Sequence, residues 1–318
     1  MRKLLILCLF IAFGSAVYSQ VDEGLLTVDR IFNSGEFRGQ RAGSVDWLPD
    51  GTGYISLDPS ISVKGGVEFV KHNPKDGGSV VLVTAENLIP QGSKEPLSVE
   101  NYSWSPDNSK LLIFNNGKQV WRYNTRGDYW VLNMADKKLY QLGKNLPASS
   151  LMFAKISPDE TRAAYVSGHN IYIEDLKTNE VKALTTNGSK TLINGTFDWV
   201  YEEEFDCRDG FRWSPDSKRI AYWQLDASGV RDFYMINNTD SLYSYIIPVQ
   251  YPKAGQTLSS CRVGVINAEG GETVWMKLQG DPRNNYIPRM EWAVSSNELL
   301  IQYFGRRQNT NQVFLANA

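Results

Sequence analysis

Residues 211 to 223 read FRWSPDSKRIAYW. An aromatic residue leads into a Ser-Pro-Asp turn, and an apolar segment with strand-like alternation follows. Proline presets the first corner of a β-turn and aspartate accepts hydrogen bonds from the backbone beyond it, so the unit reads as strand, tight turn, strand. It recurs in VDWLPDG (45 to 51), YSWSPDNSKLLIF (102 to 114) and AKISPDETRAAYV (154 to 166), with a weaker fifth copy in MEWAVSSNELLIQYF (290 to 304). The turn prolines Pro49, Pro106, Pro158 and Pro215 follow each other at 57, 52 and 57 residues. Between copies lie short segments of period-two apolarity such as NIYIEDL (170 to 176). Roughly four strands per repeat, at a period slightly above ~40–50 residues, mark a β-propeller. The expectation is all-β: four-stranded blades, about four of them and part of a fifth, with no run of amphipathic helix in competition.

Two irregularities interrupt the spacing. From Pro215 to the matching Val294 the step is 79 residues, so the fourth blade carries an insertion, for which RDFYMINNTDSLYSYIIPVQYPKAG (231 to 255) is the candidate. The sequence also reaches Ala318 soon after the fifth copy begins, without a segment that would close a ring. An unclosed propeller leaves sheet faces uncovered, so the expectation is an incomplete propeller, part of something longer.

Composition narrows the class. The 318 residues are 42% hydrophobic and 12% aromatic, enough for a large core, and a formal net charge of -2 with interspersed signs offers no basic stripe for nucleic acid. At the N-terminus, Arg2 and Lys3 precede LLILCLFIAF, and the small-residue stretch GSAVYSQ follows, which is the order of a secretory signal. The expected domains are a signal peptide over 1–19 and an N-terminal β-propeller domain over 20–318. The protein is then exported, periplasmic or extracellular, and membrane-anchored if the signal stays uncleaved. Cys8 falls in that signal. Cys207 and Cys261 remain, and export permits them to pair without establishing a bridge.

DWVYEEEF (198 to 205) places three carboxylates in an aromatic frame. Together with FRWSPDSKRIAYWQLD from 211, YPKAG at 251 and WRYNT at 121, it resembles the propeller of dipeptidyl peptidase IV, in the prolyl oligopeptidase group of serine peptidases. The similarity runs in order from about residue 25 to the C-terminus. The Ser-Pro-Asp turns are common to many propellers, whereas the glutamate motif followed by YPKAG is specific. The resemblance implies a propeller set over an α/β-hydrolase domain, in an enzyme that removes X-Pro or X-Ala dipeptides from free peptide N-termini. It implies that Glu203 and Glu204 hold the substrate α-ammonium, and that Arg122 holds the first carbonyl and helps fix the glutamates. It also implies a homodimer through the arm at 231–255.

The chemistry is coherent without the name. A peptide α-amino group has a pKa near ~7.7–8 and is mostly cationic at neutral pH. Two adjacent carboxylates can accept its hydrogens in charge-assisted bonds and lose their mutual repulsion when it arrives. Such a clamp counts residues from the N-terminus. Taken alone, an EEE run is a solvated face and Arg122 a surface or salt-bridge residue; the surrounding motif tips the reading toward a ligand role. His72, in KHNPKDGG, and His169, in SGHN, read as turn histidines without a Ser or Cys constellation. The start of a G-x-S-x-G elbow occurs only as Gly77-Gly78-Ser79, in a hairpin-like context that continues Val80-Val81. No triad, metal site or cofactor motif is found, so the chain is expected to bind peptide and to be inactive alone. The alternative is a non-catalytic propeller that serves as a peptide- or protein-binding scaffold.

Overall fold

The computed structural model describes residues 24–39, 45–48 and 51–318. The signal expected over 1–19 and the first turn, Pro49 and Asp50, lie outside the described residues. The chain divides into two units, Met1–Asp46 and Trp47–Ala318. In the first, Thr27 caps the short helix α1 (Val28–Phe32) by accepting from the Arg30 N–H at 3.1 Å. Arg30 then forks onto Glu36 at 2.7 and 2.6 Å.

The second unit is built of antiparallel sheets that follow one another along the chain. Strand β1 (Val45–Trp47) straddles the boundary of the units. The first blade continues with β2 (Tyr54–Pro59), β3 (Val67–His72) and β4 (Ser79–Val83). The second is β5 (Asn101–Trp104), β6 (Lys110–Gln119), β7 (Asn124–Asn133) and β8 (Leu139–Gln141). The third is β9 (Leu151–Ile156), β10 (Arg162–Ser167), β11 (Asn170–Asp175) and β12 (Val181–Ala183). In the fourth, β13 (Leu192–Asn194) and β14 (Phe211–Trp213) share one edge of β15 (Arg219–Asp226). Strands β18 (Ser260–Asn267) and β19 (Val274–Trp275) complete that sheet. Strands β16 (Asp232–Asn237) and β17 (Tyr245–Gln250) form the separate hairpin arm expected at 231–255. Part of a fifth blade is β20 (Asn285–Trp292), β21 (Glu298–Gly305) and β22 (Asn311–Asn317).

The strand after each turn departs from simple alternation. Along β6, Leu111 and Ile113 enter the core shared with blade one, while Leu112 enters the core shared with blade three. Ala163 and Tyr165 of β10 likewise face back, and Ala164 and Val166 face forward. Ile220 and Tyr222 of β15 split from Ala221 and Trp223 in the same way. With sheets packed on both faces, period two divides an unbroken apolar run between two cores.

The turns themselves are cross-linked. Ser105, Ser157 and Ser214 each donate to the Asp two residues on, at 3.0, 2.6 and 2.6 Å. The N–H of each of those aspartates then reaches the next blade: Asp107 to Glu160, Asp159 to Ser217 and Asp216 to Ser296, at 2.8, 2.8 and 2.9 Å. Inner strands are stitched similarly by Trp213 Nε1 to the Lys155 carbonyl (3.3 Å) and Trp292 Nε1 to the Arg212 carbonyl (3.2 Å). Each link satisfies a donor that the turn or the core would otherwise leave unpaired.

His72 corrects one expectation. It ends β3, and its Nε2 lies 2.7 Å from Ser56 Oγ, so a serine is in contact with it. Ser56 gives its single proton to Asp58 Oδ1 at 2.7 Å, which makes the imidazole the donor to the hydroxyl. Serine therefore sits between the other two, and histidine is not placed to take its proton.

Candidate functional site

The three glutamates lie on an excursion from the innermost strand of blade four. Leu192–Asn194 pairs with residues 224–226 of β15 and Phe211–Trp213 pairs with 220–222, so residues 195–210 leave the sheet opposite Trp223. Two glycines close the neck. Gly195 N–H donates to the Trp223 carbonyl, Trp223 N–H to the Gly210 carbonyl, and Gly210 N–H to the Gly195 carbonyl, each at 3.0 Å. A Cβ on Gly210 would lie 2.6 Å from the Gly195 carbonyl carbon, and Gly195 itself has φ +74°. The backbones can meet this closely only without side chains.

Within the excursion, helix α2 (Trp199–Phe205) carries the motif. Asp198 caps it by accepting from the Tyr201 N–H at 3.1 Å and is held in place by the Ser259 hydroxyl at 2.6 Å. Burial raises the Asp198 carboxyl above its ordinary range, while those hydrogen bonds pull it back. Asp206, with φ +56°, ends the helix. The aromatic frame is the helix's buried side: Tyr201 stacks on Phe197, Phe205 packs on Tyr286, and the Tyr201 hydroxyl accepts the Ile287 N–H at 3.0 Å. Arg289 grips the far end through the Phe205 carbonyl and Cys207 Sγ, both at 3.1 Å. The aromatic residues thus fix the helix between blades four and five, and of its three glutamates Glu204 is left exposed.

The glutamates are not equivalent. Glu202 is buried at 8% exposure, and its Oε1 has no hydrogen-bond partner. Burial raises its pKa, opposed by the charge of Arg208 and by the Arg122 main-chain N–H. Glu203 is partly exposed and meets Arg122 in a two-pronged ion pair, Nε to Oε2 at 2.7 Å and Nη2 to Oε1. Glu204 is exposed and has no hydrogen bond or ion pair among the described residues. Arg122 comes from the connection between β6 and β7 in blade two, 81 residues away. The fold therefore brings Arg122, Glu203 and Glu204 into one acidic site with one carboxylate already compensated and the next open.

Sequence reasoning missed the glycine neck, the Asp198 cap and two neighbours. Arg208 lies over the Tyr123 ring at 4.2 Å. Tyr251 of YPKAG packs on Trp199 at 4.6 Å, so the base of the arm touches the helix. The recoverable signals were Asp198 before an apolar run and the glycines at 195 and 210 that frame it. Cys207 and Cys261 are both buried free thiols, and burial raises the pKa of each. Among the described residues no group of three or more His, Cys, Asp or Glu could hold a metal, and no helix is long and apolar enough to cross a membrane.

Comparison with known proteins agrees with this architecture. Dipeptidyl aminopeptidase B of Saccharomyces cerevisiae is 30% identical over 253 residues, covering 77% of this chain and 30% of its own length. Inactive dipeptidyl peptidase 10 of Rattus norvegicus is 27% identical over 310 residues, covering 90% of this chain and 36% of its own. The crystal structure of Porphyromonas gingivalis dipeptidyl peptidase 4 superposes with a TM-score of 0.78 at 25% identity, covering 89% of this chain and 39% of that one. The chain thus spans well under half the length of these relatives. Residues 105–318 match the family model of the dipeptidyl peptidase IV (DPP IV) N-terminal region, and the chain belongs to that family.

Proposed function

We propose that this chain is the substrate-recognition propeller portion of an exported serine-type dipeptidyl peptidase that releases X-Pro or X-Ala dipeptides. Glu203 and Glu204 bind the substrate α-ammonium, and Arg122 holds Glu203 and takes the first peptide carbonyl. The observation that carries this reading is the Arg122 fork on Glu203 beside an unpaired Glu204. An arriving ammonium finds one free carboxylate and a second whose position is already fixed, which lowers the ordering cost of binding. An acetylated N-terminus brings no charge and would leave Glu204 repelled by its neighbour. The bond-breaking residues lie outside this chain in this reading. The exposed arm, with Phe233, Tyr234, Ile236, Tyr243 and Ile246 open to solvent, supplies the contact of a homodimer.

The full-length protein tests this with an Ala-Pro amide and its N-acetyl derivative. Turnover of the free amine alone, blocked by a serine-directed inhibitor, is expected; equal turnover of both would overturn the ammonium assignment. A second reading, a binding module without catalysis, is favoured by the similarity to the inactive rat relative. Tight binding of the free-amine peptide without turnover would select it.

A further inference from the structure

Arg122 is poorly held by its own packing, since its side chain is 70% exposed. What orients it is the backbone of the turn that carries it. The Val120 N–H donates to the Tyr123 carbonyl at 2.9 Å and closes that turn. Besides the Arg122 fork on Glu203, a contact of Arg208 docks the turn on the glutamate excursion. Its guanidinium carbon stands 4.2 Å from the Tyr123 ring centroid, within cation–π range. Its charge also opposes the upward shift that burial imposes on the Glu202 carboxyl. Asp206 holds Arg208 in that place, Oδ1 to Nη1 at 2.6 Å.

We propose that Arg208 is a positioning residue for Arg122: stacked on Tyr123, it fixes the 120–125 turn so that the Arg122 fork meets Glu203 in one geometry. The contact stands on the geometry alone; its effect on substrate rests on the reading of Glu203, Glu204 and Arg122 as the amine site. Removing Arg208 takes the cation off the Tyr123 ring and leaves the turn held to the excursion by the Arg122 fork.

Hydrogen exchange on the 318-residue chain tests the contact without substrate. Arg208→Ala and Tyr123→Leu should each speed exchange of the amides in 119–125 by about tenfold, with β15 unchanged as the check on folding. Arg208→Lys, which keeps the charge but not the planar stack, should fall between. Unchanged exchange in 119–125 for both variants would overturn the proposal. In the full-length protein, Arg208→Ala should raise KM for an X-Pro amide about fivefold to tenfold with kcat within about twofold, and add nothing in an Arg122→Ala background. Additive losses would show that Arg208 acts independently of Arg122 and would overturn it. Wild-type protein inert toward free-amine substrates would remove the proposed function while leaving the exchange result to decide the contact.

Discussion

The Arg122 guanidinium and the Glu203 carboxylate meet fork to fork across 81 residues of sequence, joining blade two to blade four. Glu204, next along the helix, has no such partner among the described residues. In the full-length protein, Glu203→Gln and Glu204→Gln should each weaken ammonium binding by about 2 kcal/mol, about a thirtyfold loss in kcat/KM. Arg122→Ala should be as damaging, because it removes a carbonyl anchor and leaves two close carboxylates uncompensated. Glu202→Gln should change kcat/KM much less. Equal, mild losses at all three glutamates would reduce the run to a diffuse negative field.

Glu202 makes a separate, pH-dependent prediction. Its folded pKa is raised above the ordinary 4.5, so in the window between the two values the native state binds more protons than the unfolded one. Stability contributed by this group therefore falls as pH rises through that window, and the cost persists above it. Glu202→Gln should be more stable than the parent at neutral pH, with the advantage vanishing below pH 4.5. Denaturant unfolding at the two pH values decides this, and an advantage independent of pH would point to packing instead.

The neck of the excursion predicts a steric effect. A methyl group on Gly210 would stand 2.6 Å from the Gly195 carbonyl carbon and 2.7 Å from the Thr196 nitrogen, both backbone atoms that cannot rotate away. Gly210→Ala should cost about 2–3 kcal/mol in denaturant unfolding. It should also displace α2, so peptide affinity falls in the same variant. Gly39→Ala, at a glycine without positive φ and with nothing within 4 Å, controls for a glycine-to-alanine change as such.

The arm is the expected dimer contact. Leu242 and Tyr243 at its tip are 93% and 81% exposed, in a hairpin that buries little apolar surface of its own. Removing 231–255 from the full-length protein, or introducing Ile246→Asp, should halve the mass seen by light scattering. A dimer of unchanged mass would move the interface elsewhere.

Residues 20–318 alone should not hydrolyse a Gly-Pro amide above background, since the sequence contains no complete G-x-S-x-G nucleophile elbow. Gly77–Ser79 is the turn from β3 into β4, with Gly77 at φ +72°, a strand-to-strand and not a strand-to-helix turn. Turnover sensitive to a serine-directed inhibitor would refute both the site assignment and the placement of the nucleophile elsewhere.

The turn chemistry made the blades legible, because Pro106, Pro158 and Pro215 each sit where a strand reverses and the side chains that close the turn are adjacent in sequence. The arm was legible as a break in period. Less so was the strand after each turn, where burial on both faces erases the alternation that a one-sided sheet would show. The meeting of Arg122 with Glu203 followed from resemblance; no local pattern encodes a contact over 81 residues. Arg208 was invisible for a different reason: its partner Tyr123 is an ordinary turn residue until folding places the ring beneath it.

The cross-links between turns run in one direction. Each aspartate N–H is handed to the blade that follows, from 107 to 160, from 159 to 217 and from 216 to 296. The array is therefore vectorial, and an injury has an upstream and a downstream. Loss of the Glu160 carboxylate orphans the amide of Asp107 and the hydroxyl of Ser109, both in the preceding blade, whereas the link from Asp159 to Ser217 uses other atoms and survives. Each of these three turns is thus completed by the blade that follows it, which sets the quality of the edge before it.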